Sequence, residues 1–252
     1  STERRNRFVV HVIDASASMT ATDVQPTRFA YAVSQVADHL RRHHGEVVII
    51  QADMVPYVVY RGTDRSAAAA ALSDLAPFAG TTDWETVAEL LAQLGEEPDD
   101  IIVWTDGVTD PHAFDAVRRI AGKRLMMQTI GTTAARNVGI SRFAAYEKGA
   151  LAGSYEMALT VTNFGPQPEH VPVEIETDTG LVFAHELVIP PEDEVDLLLP
   201  WTVDESRVLT ARLTVDDDFP ADNSAFLVVH EPLPTRVAIV GASHRFLEEG
   251  LR

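Results

Sequence analysis

Phe8-Val-Val-His-Val-Ile13 is a short, mostly apolar run that stops on a carboxylate and continues as Asp14-Ala-Ser16-Ala-Ser18. Such a run, bounded by polar sequence, reads as a strand buried on both faces of a mostly parallel sheet. A polar loop follows. Then Phe29, Val33, Val36, Ala37 and Leu40 recur at helical spacing, and His43-His44-Gly45 supplies a C-terminal stop. Further along, 46–51 and 54–60 read as a hairpin, with Pro56 suited to an edge strand. Residues 67–75 and 84–94 are expected as helices, and 101–104 as a second buried strand ending in Thr105-Asp106-Gly107. A helix over 111–121 and a strand over 124–130 complete the pattern. Strands alternating with helices predict a doubly wound α/β sheet over residues 1–134. Ligands of such sheets bind beyond the carboxyl ends of the strands, where Asp14 and Asp106 both fall.

The pattern changes after Gly131. From Asn137 onward, short β-rich runs at 155–162, 170–176, 181–189, 195–199, 207–215 and 225–230 are separated by turn signals such as Asn163-Phe-Gly165-Pro166 and Asp178-Thr-Gly180. This spacing predicts an antiparallel β-sandwich of immunoglobulin-like class over 135–232. Residues 140–146 are an alternative edge strand for the first sheet. The final stretch, 233–252, holds an apolar run at Arg236-Val-Ala-Ile-Val-Gly241 and reads as the start of a third α/β domain.

Composition narrows the function. With 20 Lys and Arg against 38 Asp and Glu among 252 residues, the formal charge is −18, which argues against nucleic acid as a partner and suits cations and basic surfaces. Cysteine is absent, which excludes disulfides and thiol catalysis. No apolar run approaches the ~20 residues a membrane helix needs.

The chemistry concentrates in Asp14, Ser16, Ser18, Thr82 and Asp106. Mg²⁺ is a hard cation that takes oxygen ligands and usually keeps several waters. A carboxylate and two hydroxyls at alternate loop positions can converge on one point, while Thr82 and Asp106 arrive from neighbouring loops at the same sheet edge. The Asp14-x-Ser16-x-Ser18 triplet after a first strand, Gly80-Thr-Thr82-Asp83 before a helix, and Thr105-Asp106-Gly107 after a strand together resemble the metal-ion-dependent adhesion site of von Willebrand factor A domains, over roughly residues 7–131. The resemblance implies a bound Mg²⁺, or Mn²⁺ or Ca²⁺ in its place, held by Asp14, Ser16, Ser18, Thr82 (or its neighbour Thr81) and, through water, Asp106. It further implies that a protein partner completes the coordination sphere with an Asp or Glu. Surface residues expected near the ion are Thr20, Thr22, Asp83, Trp84 and Thr109.

The Met19, Asp23, Pro26 and Arg28 pattern resembles bacterial aerotolerance-type members, which implies a membrane-anchored protein facing out of the cytoplasm. Val161-Thr-Asn163-Phe-Gly165 and Asp218-Phe-Pro-Ala-Asp222-Asn223 resemble bacterial cell-adhesion-related (CARDB-like) domains, and 237–251 resembles the start of a class I glutamine-amidotransferase-like domain. Asp216-Asp-Asp218 reads as a solvated acidic turn, with Ca²⁺ binding as its alternative.

Catalysis is not expected. A nucleophilic serine needs a positioned base. His11 lies inside a strand and reads as a packed histidine. His39 and His43 have an i, i+4 spacing that can bind Zn²⁺, but no third ligand is apparent and a solvated face is expected; His112 has no obvious partner. Two function classes follow. The first is a metal-dependent protein-interaction module, and the alternative is a structural scaffold with an empty or vestigial metal site.

Overall fold

The computed structural model describes residues 7–107, 112, 114–132, 135–148, 154–203 and 205–230. The first sheet is built from β1 (Val9–Asp14), β2 (Val47–Ala52), β3 (Tyr57–Gly62), β4 (Asp100–Thr105) and β5 (Leu125–Thr129) in the order β3-β2-β1-β4-β5. β1 pairs in parallel with β2 and β4, β4 in parallel with β5, and β3 is the antiparallel edge strand expected of the hairpin.

Every residue of β1 is buried because helices cover both faces. Alternation sends Val10 and Val12 toward a cluster with Trp84, Val87, Leu91, Phe114 and Val117, while Ile13 faces Phe29, Ala32, Val36 and Leu40. Those second partners belong to α1 (Arg28–Arg42), packed beside α2 (Arg65–Ser73); the first belong to α3 (Trp84–Ala92) and to α4 (Asp115–Ala121) with its N-cap Phe114 on the opposite face. Each of the first three helices has its start fixed by a side-chain cap. Thr27 accepts from the Ala30 N–H, Asp64 from the Ser66 and Ala67 N–H groups, and Asp83 from the Thr86 N–H.

The second half is antiparallel. β6 (Val138–Glu147), β7 (Ser154–Asn163) and β10 (Glu194–Thr202) form one sheet in the order β10-β7-β6. β8 (Glu169–Thr177), β9 (Gly180–Ile189), β11 (Arg207–Leu213) and β12 (Ser224–Val229) form another in the order β12-β11-β8-β9. Val171, Val173 and Ile175 alternate inward along β8 and meet Met157, Leu159 and Val161 of β7 in a shared core. Among the described residues the only helical element here is a short 3-10 turn at Pro220–Asp222. Residues 140–146 fall within β6 and therefore pair in this half rather than with the first sheet. The proposed third-domain start at 233–252 lies outside the described residues.

Between the two halves, Asp216 of the acidic string is exposed as expected of a solvated turn, while Asp217 and Asp218 are half-buried and bonded by backbone. Asp218 Oδ2 accepts from the Arg136 N–H at 2.8 Å, and Asp217 Oδ2 accepts from the Val138 N–H at 3.0 Å. Arg136 also forks onto both oxygens of Glu169 at 2.6 Å. Gly139 lies so close to Asp222 that a Cβ there would sit 2.1 Å from its Oδ2, so any larger residue would force the Asp222 side chain to move.

Candidate metal centre

Asp14 ends β1 and is 2% exposed. Its Oδ1 accepts from the Ser16 N–H at 3.0 Å and from the Thr82 hydroxyl at 2.7 Å. Its Oδ2 accepts from the Thr105 hydroxyl at 2.6 Å. The Ser16 and Ser18 hydroxyl oxygens are 3.3 Å apart. Thr82 is brought in by two backbone bonds that fasten its loop to the triplet loop. Ala17 N–H donates to the Gly80 carbonyl at 2.8 Å, and Phe78 N–H donates to the Ala15 carbonyl at 2.6 Å. Thr81 is exposed, so Thr82 is the threonine in register with Asp14.

Four of the five expected residues, Asp14, Ser16, Ser18 and Thr82, thus form one hydrogen-bonded group. Asp106 is engaged elsewhere. It follows β4, its side chain is fully buried, and its Oδ2 accepts from Arg28 Nη1 at 2.9 Å. Gly107, at a φ of 78°, turns the chain back so that its N–H donates to the Thr105 hydroxyl oxygen at 3.2 Å. The other nitrogens of Arg28 fork onto Asp23, Nε at 2.6 Å and Nη2 at 3.1 Å. The Asp23 side chain is 2% exposed and also accepts from the Thr132 N–H at 2.7 Å. Burial pushes the Asp23 carboxyl up, but the Arg28 and Thr132 hydrogen bonds outweigh it and hold it below its ordinary range. Burial likewise disfavours the Arg28 cation, and the two carboxylates reverse that and raise it.

Sequence reasoning missed Thr105 as a partner of Asp14 and gave Asp23 and Arg28 no role. The signal for Thr105 was its place at the last residue of β4, beside the end of β1. Of the expected rim residues, Trp84 is core, 2% exposed and 4.1 Å from the Phe114 ring centroid. Its apolar bulk is worth more under the sheet than in solvent. Asp83 caps α3, and its Oδ2 also accepts from the Thr86 hydroxyl at 2.7 Å. Thr22 donates its N–H to the Asp218 carbonyl at 2.8 Å, and the Thr20 hydroxyl donates to the Ala17 carbonyl at 2.7 Å. Thr109 lies outside the described residues.

Does the donor set suit a hard divalent cation? Asp14 is a buried carboxylate whose partners among the described residues are all neutral donors. A hydroxyl that gives its proton to Asp14 keeps its lone pairs for a cation. The Asp14 carboxylate carries a negative charge that no cationic side chain among the described residues offsets, so the oxygens present fit Mg²⁺ or a similar ion by sign of charge and by ligand type. Among the described residues no group of three His, Asp or Glu side chains is placed to hold a metal, so any such site here depends on hydroxyl oxygens.

The histidines expected on a solvated face are instead packed together. His11 is fully buried, its ring 4.7 Å from that of His39, which is 5.3 Å from that of His43. Trp104 Nε1–H donates to His11 Nδ1 at 3.0 Å. That bond puts the His11 proton on Nε2, which opposes coordination through Nε2. His112 Nδ1 lies 3.4 Å from Asp115 Oδ2.

Residues 9–108 match the family model of the von Willebrand factor type A domain. Solved structures similar to parts of the chain include the CARDB domain of the PF1109 protein from Pyrococcus furiosus, at 16% identity over 38% of this chain and 88% of that one, TM-score 0.34. Others are the three N-terminal domains of the type V pili tip protein Mfa5 from Porphyromonas gingivalis (20% identity, 40% and 20% covered, TM-score 0.35) and the Deinococcus radiodurans RO (RSR) protein (21%, 48% and 26%, 0.33). Likenesses this remote carry no information about ligand or partner. No curated protein matches the chain. The first half is thus a von Willebrand factor A-like α/β sheet, a class associated with protein interaction, and it is joined to an antiparallel β-sandwich.

Proposed function

We propose that this chain is a divalent-metal-dependent protein-binding module rather than an enzyme. Asp14, Ser16, Ser18 and Thr82 would hold Mg²⁺, or Mn²⁺ or Ca²⁺ in its place, with Asp106 acting through water. The ion would supply a Lewis-acidic position for an Asp or Glu carboxylate of the partner. The single observation that carries this reading is the buried Asp14 carboxylate, ringed by hydroxyls and lacking a cationic partner among the described residues. Electrostatics adds a reason. A chain of formal charge −18 repels an acidic partner, so recognition of a carboxylate needs an intervening cation.

In this reading residues 1–134 are the binding module. Residues 135–232 are an immunoglobulin-like, cell-adhesion-related sandwich that positions it, and 233–252 begin a further domain. The aerotolerance-type resemblance adds a membrane anchor elsewhere in the protein, with these modules outside the cytoplasm. Among the described residues no helix is long and apolar enough to cross a membrane.

The test is titration calorimetry of the full chain with Mg²⁺ and Mn²⁺, beside Asp14→Ala. Saturable binding lost in the variant supports the reading, and so does capture of a binding partner that is released by chelator. Absence of binding in the wild type overturns it. That outcome would favour a scaffold with a vestigial site, a second reading supported by the commitment of Asp106 to Arg28.

A further inference from the structure

The loop after the metal-site triplet is held at both ends of a chain of polar contacts. On one side, Arg28 joins Asp106 to Asp23 through three hydrogen bonds of 2.6 to 3.1 Å. On the other, Thr22, next to Asp23, donates its N–H to the Asp218 carbonyl of the sandwich at 2.8 Å, and its hydroxyl lies 3.3 Å from the same oxygen. Asp218 is itself clamped to the connecting segment. Its N–H donates to the Arg136 carbonyl and its Oδ2 accepts from the Arg136 N–H, both at 2.8 Å. Asp23 adds a second tie through the Thr132 N–H at 2.7 Å, just past β5.

The buried triad is the unexpected part. The Asp23, Arg28 and Asp106 side chains are 2%, 11% and 0% exposed, and two carboxylates against one guanidinium leave a net −1 out of water. Buried ion pairs of this kind are often no better for stability than apolar residues of the same volume, so stability alone is a weak reason for one here. A divalent ion held by Asp14 would give it a reason: it would act on Asp106 through water, and the same guanidinium would report that change to Asp23.

We propose that the 20–28 loop couples the metal site to the β-sandwich, with Arg28 as the positioning residue that sets the Asp106 carboxylate and passes its state to Thr22 and Asp218. The inference rests on the metal-site reading above. Binding of the ion tightens the Thr22–Asp218 contact. By linkage, loosening that contact weakens ion binding by the same factor.

The experiment is amide hydrogen exchange on the full chain with Mg²⁺ or with chelator. In the wild type, Mg²⁺ slows exchange severalfold in the 14–18 and 80–84 segments and also at Thr22, Arg136 and Asp218. In Asp23→Asn, Mg²⁺ still protects the first two segments, but the protection at Arg136 and Asp218 is lost. Asp218→Ala, which removes the Oδ2 clamp onto the Arg136 N–H and so frees the carbonyl that receives Thr22, lowers Mg²⁺ affinity by about 5-fold or more, the lower end of ordinary coupling, and an unchanged affinity overturns the coupling. Wild-type protection confined to the 14–18 and 80–84 segments overturns the coupling and leaves the metal site standing. No response at those segments overturns the metal site and the coupling together.

Discussion

The Thr82 hydroxyl donates to Asp14 Oδ1 at 2.7 Å across a sequence separation of 68 residues, while its oxygen also lies 3.1 Å from the Ala52 carbonyl. The two acceptors compete for one hydroxyl proton, and the shorter contact to the charged oxygen takes the larger share of it. The bond fixes the threonine oxygen at the rim with its lone pairs unspent.

Thr82→Val keeps the shape and removes that oxygen. Calorimetry on the variant is expected to show Mg²⁺ affinity lower by about 10- to 100-fold, the range seen when groups that orient or ligate a metal are lost. Thr82→Ser keeps affinity within a few-fold of wild type. Equal affinity in all three proteins would remove Thr82 from the site. Denaturant unfolding without metal should show a loss of about 1–3 kcal/mol for the valine variant, because a buried carboxylate loses a donor.

Metal should raise the unfolding temperature. A ligand that binds only the folded chain at 100 times its Kd stabilises it by about 2.7 kcal/mol. The melting midpoint of the wild type therefore rises by a few degrees in excess Mg²⁺. Asp14→Asn, which keeps the volume and halves the acceptor capacity for Ser16, Thr82 and Thr105, shows no rise. A variant that still responds would place the ion elsewhere.

The histidine cluster makes the α/β half acid-sensitive. Burial, with the nearby His39 and His43, pulls His11 down to about 3, and burial also lowers His39 and His43. In the unfolded chain these groups titrate near 6.5. Below that pH the unfolded chain takes up protons that the folded chain refuses, so stability is full above about 6.5 and is lost as pH falls toward the depressed values. The deeply buried His11 contributes a slope of up to about 1.4 kcal/mol per pH unit, and the half-exposed His39 and His43 act in the same direction but less. Denaturant midpoints measured between pH 7.5 and 5 should fall for the wild type and fall less steeply for His39→Gln and for His11→Asn. Parallel curves would contradict the assignment.

Asp222 behaves in the opposite sense. Burial, with repulsion from Asp217, raises its carboxyl to about 6, partly offset by the Asn137 amide. Its Oδ1 and the Asn137 Oδ1 are both buried without a partner, while Asn137 Nδ2 donates to Asp222 Oδ2 at 3.1 Å. The folded chain therefore holds a proton that the unfolded chain releases near 3.9, and stability from this group declines as pH rises from about 4 to about 6. Asp222→Asn presents a neutral amide that can pair twice with Asn137. It should stabilise the protein at pH 7.5 by roughly 1 kcal/mol, the low end for relieving a buried unsatisfied acceptor. The advantage should vanish near pH 4. Destabilisation at pH 7.5 would refute the pairing.

Much of the first half was legible in the sequence because its signals are local. An apolar run buried on both faces, as at β1, and apolar residues at helical spacing, as at Phe29, Val36 and Leu40, declare their elements without reference to anything distant. The triplet was legible for the same reason, since Asp14, Ser16 and Ser18 lie within five consecutive positions. Local pattern also separated the alternating strands of the second half from the helices of the first.

Tertiary structure alone decided which side chains meet. Thr105 reaches Asp14 only because β4 lies beside β1, and Thr82 is chosen over Thr81 by the backbone bonds at Ala17 and Phe78. Trp84 looked like a rim residue but packs on Phe114, and Asp106, expected to act through water, accepts from Arg28. His11, inside a strand, becomes the buried neighbour of two histidines on a helix. Periodicity records which face of an element is buried, but it carries no information about what lies across the gap. That is set by sheet order and by loops folding back, and it is there that charge is balanced or left open.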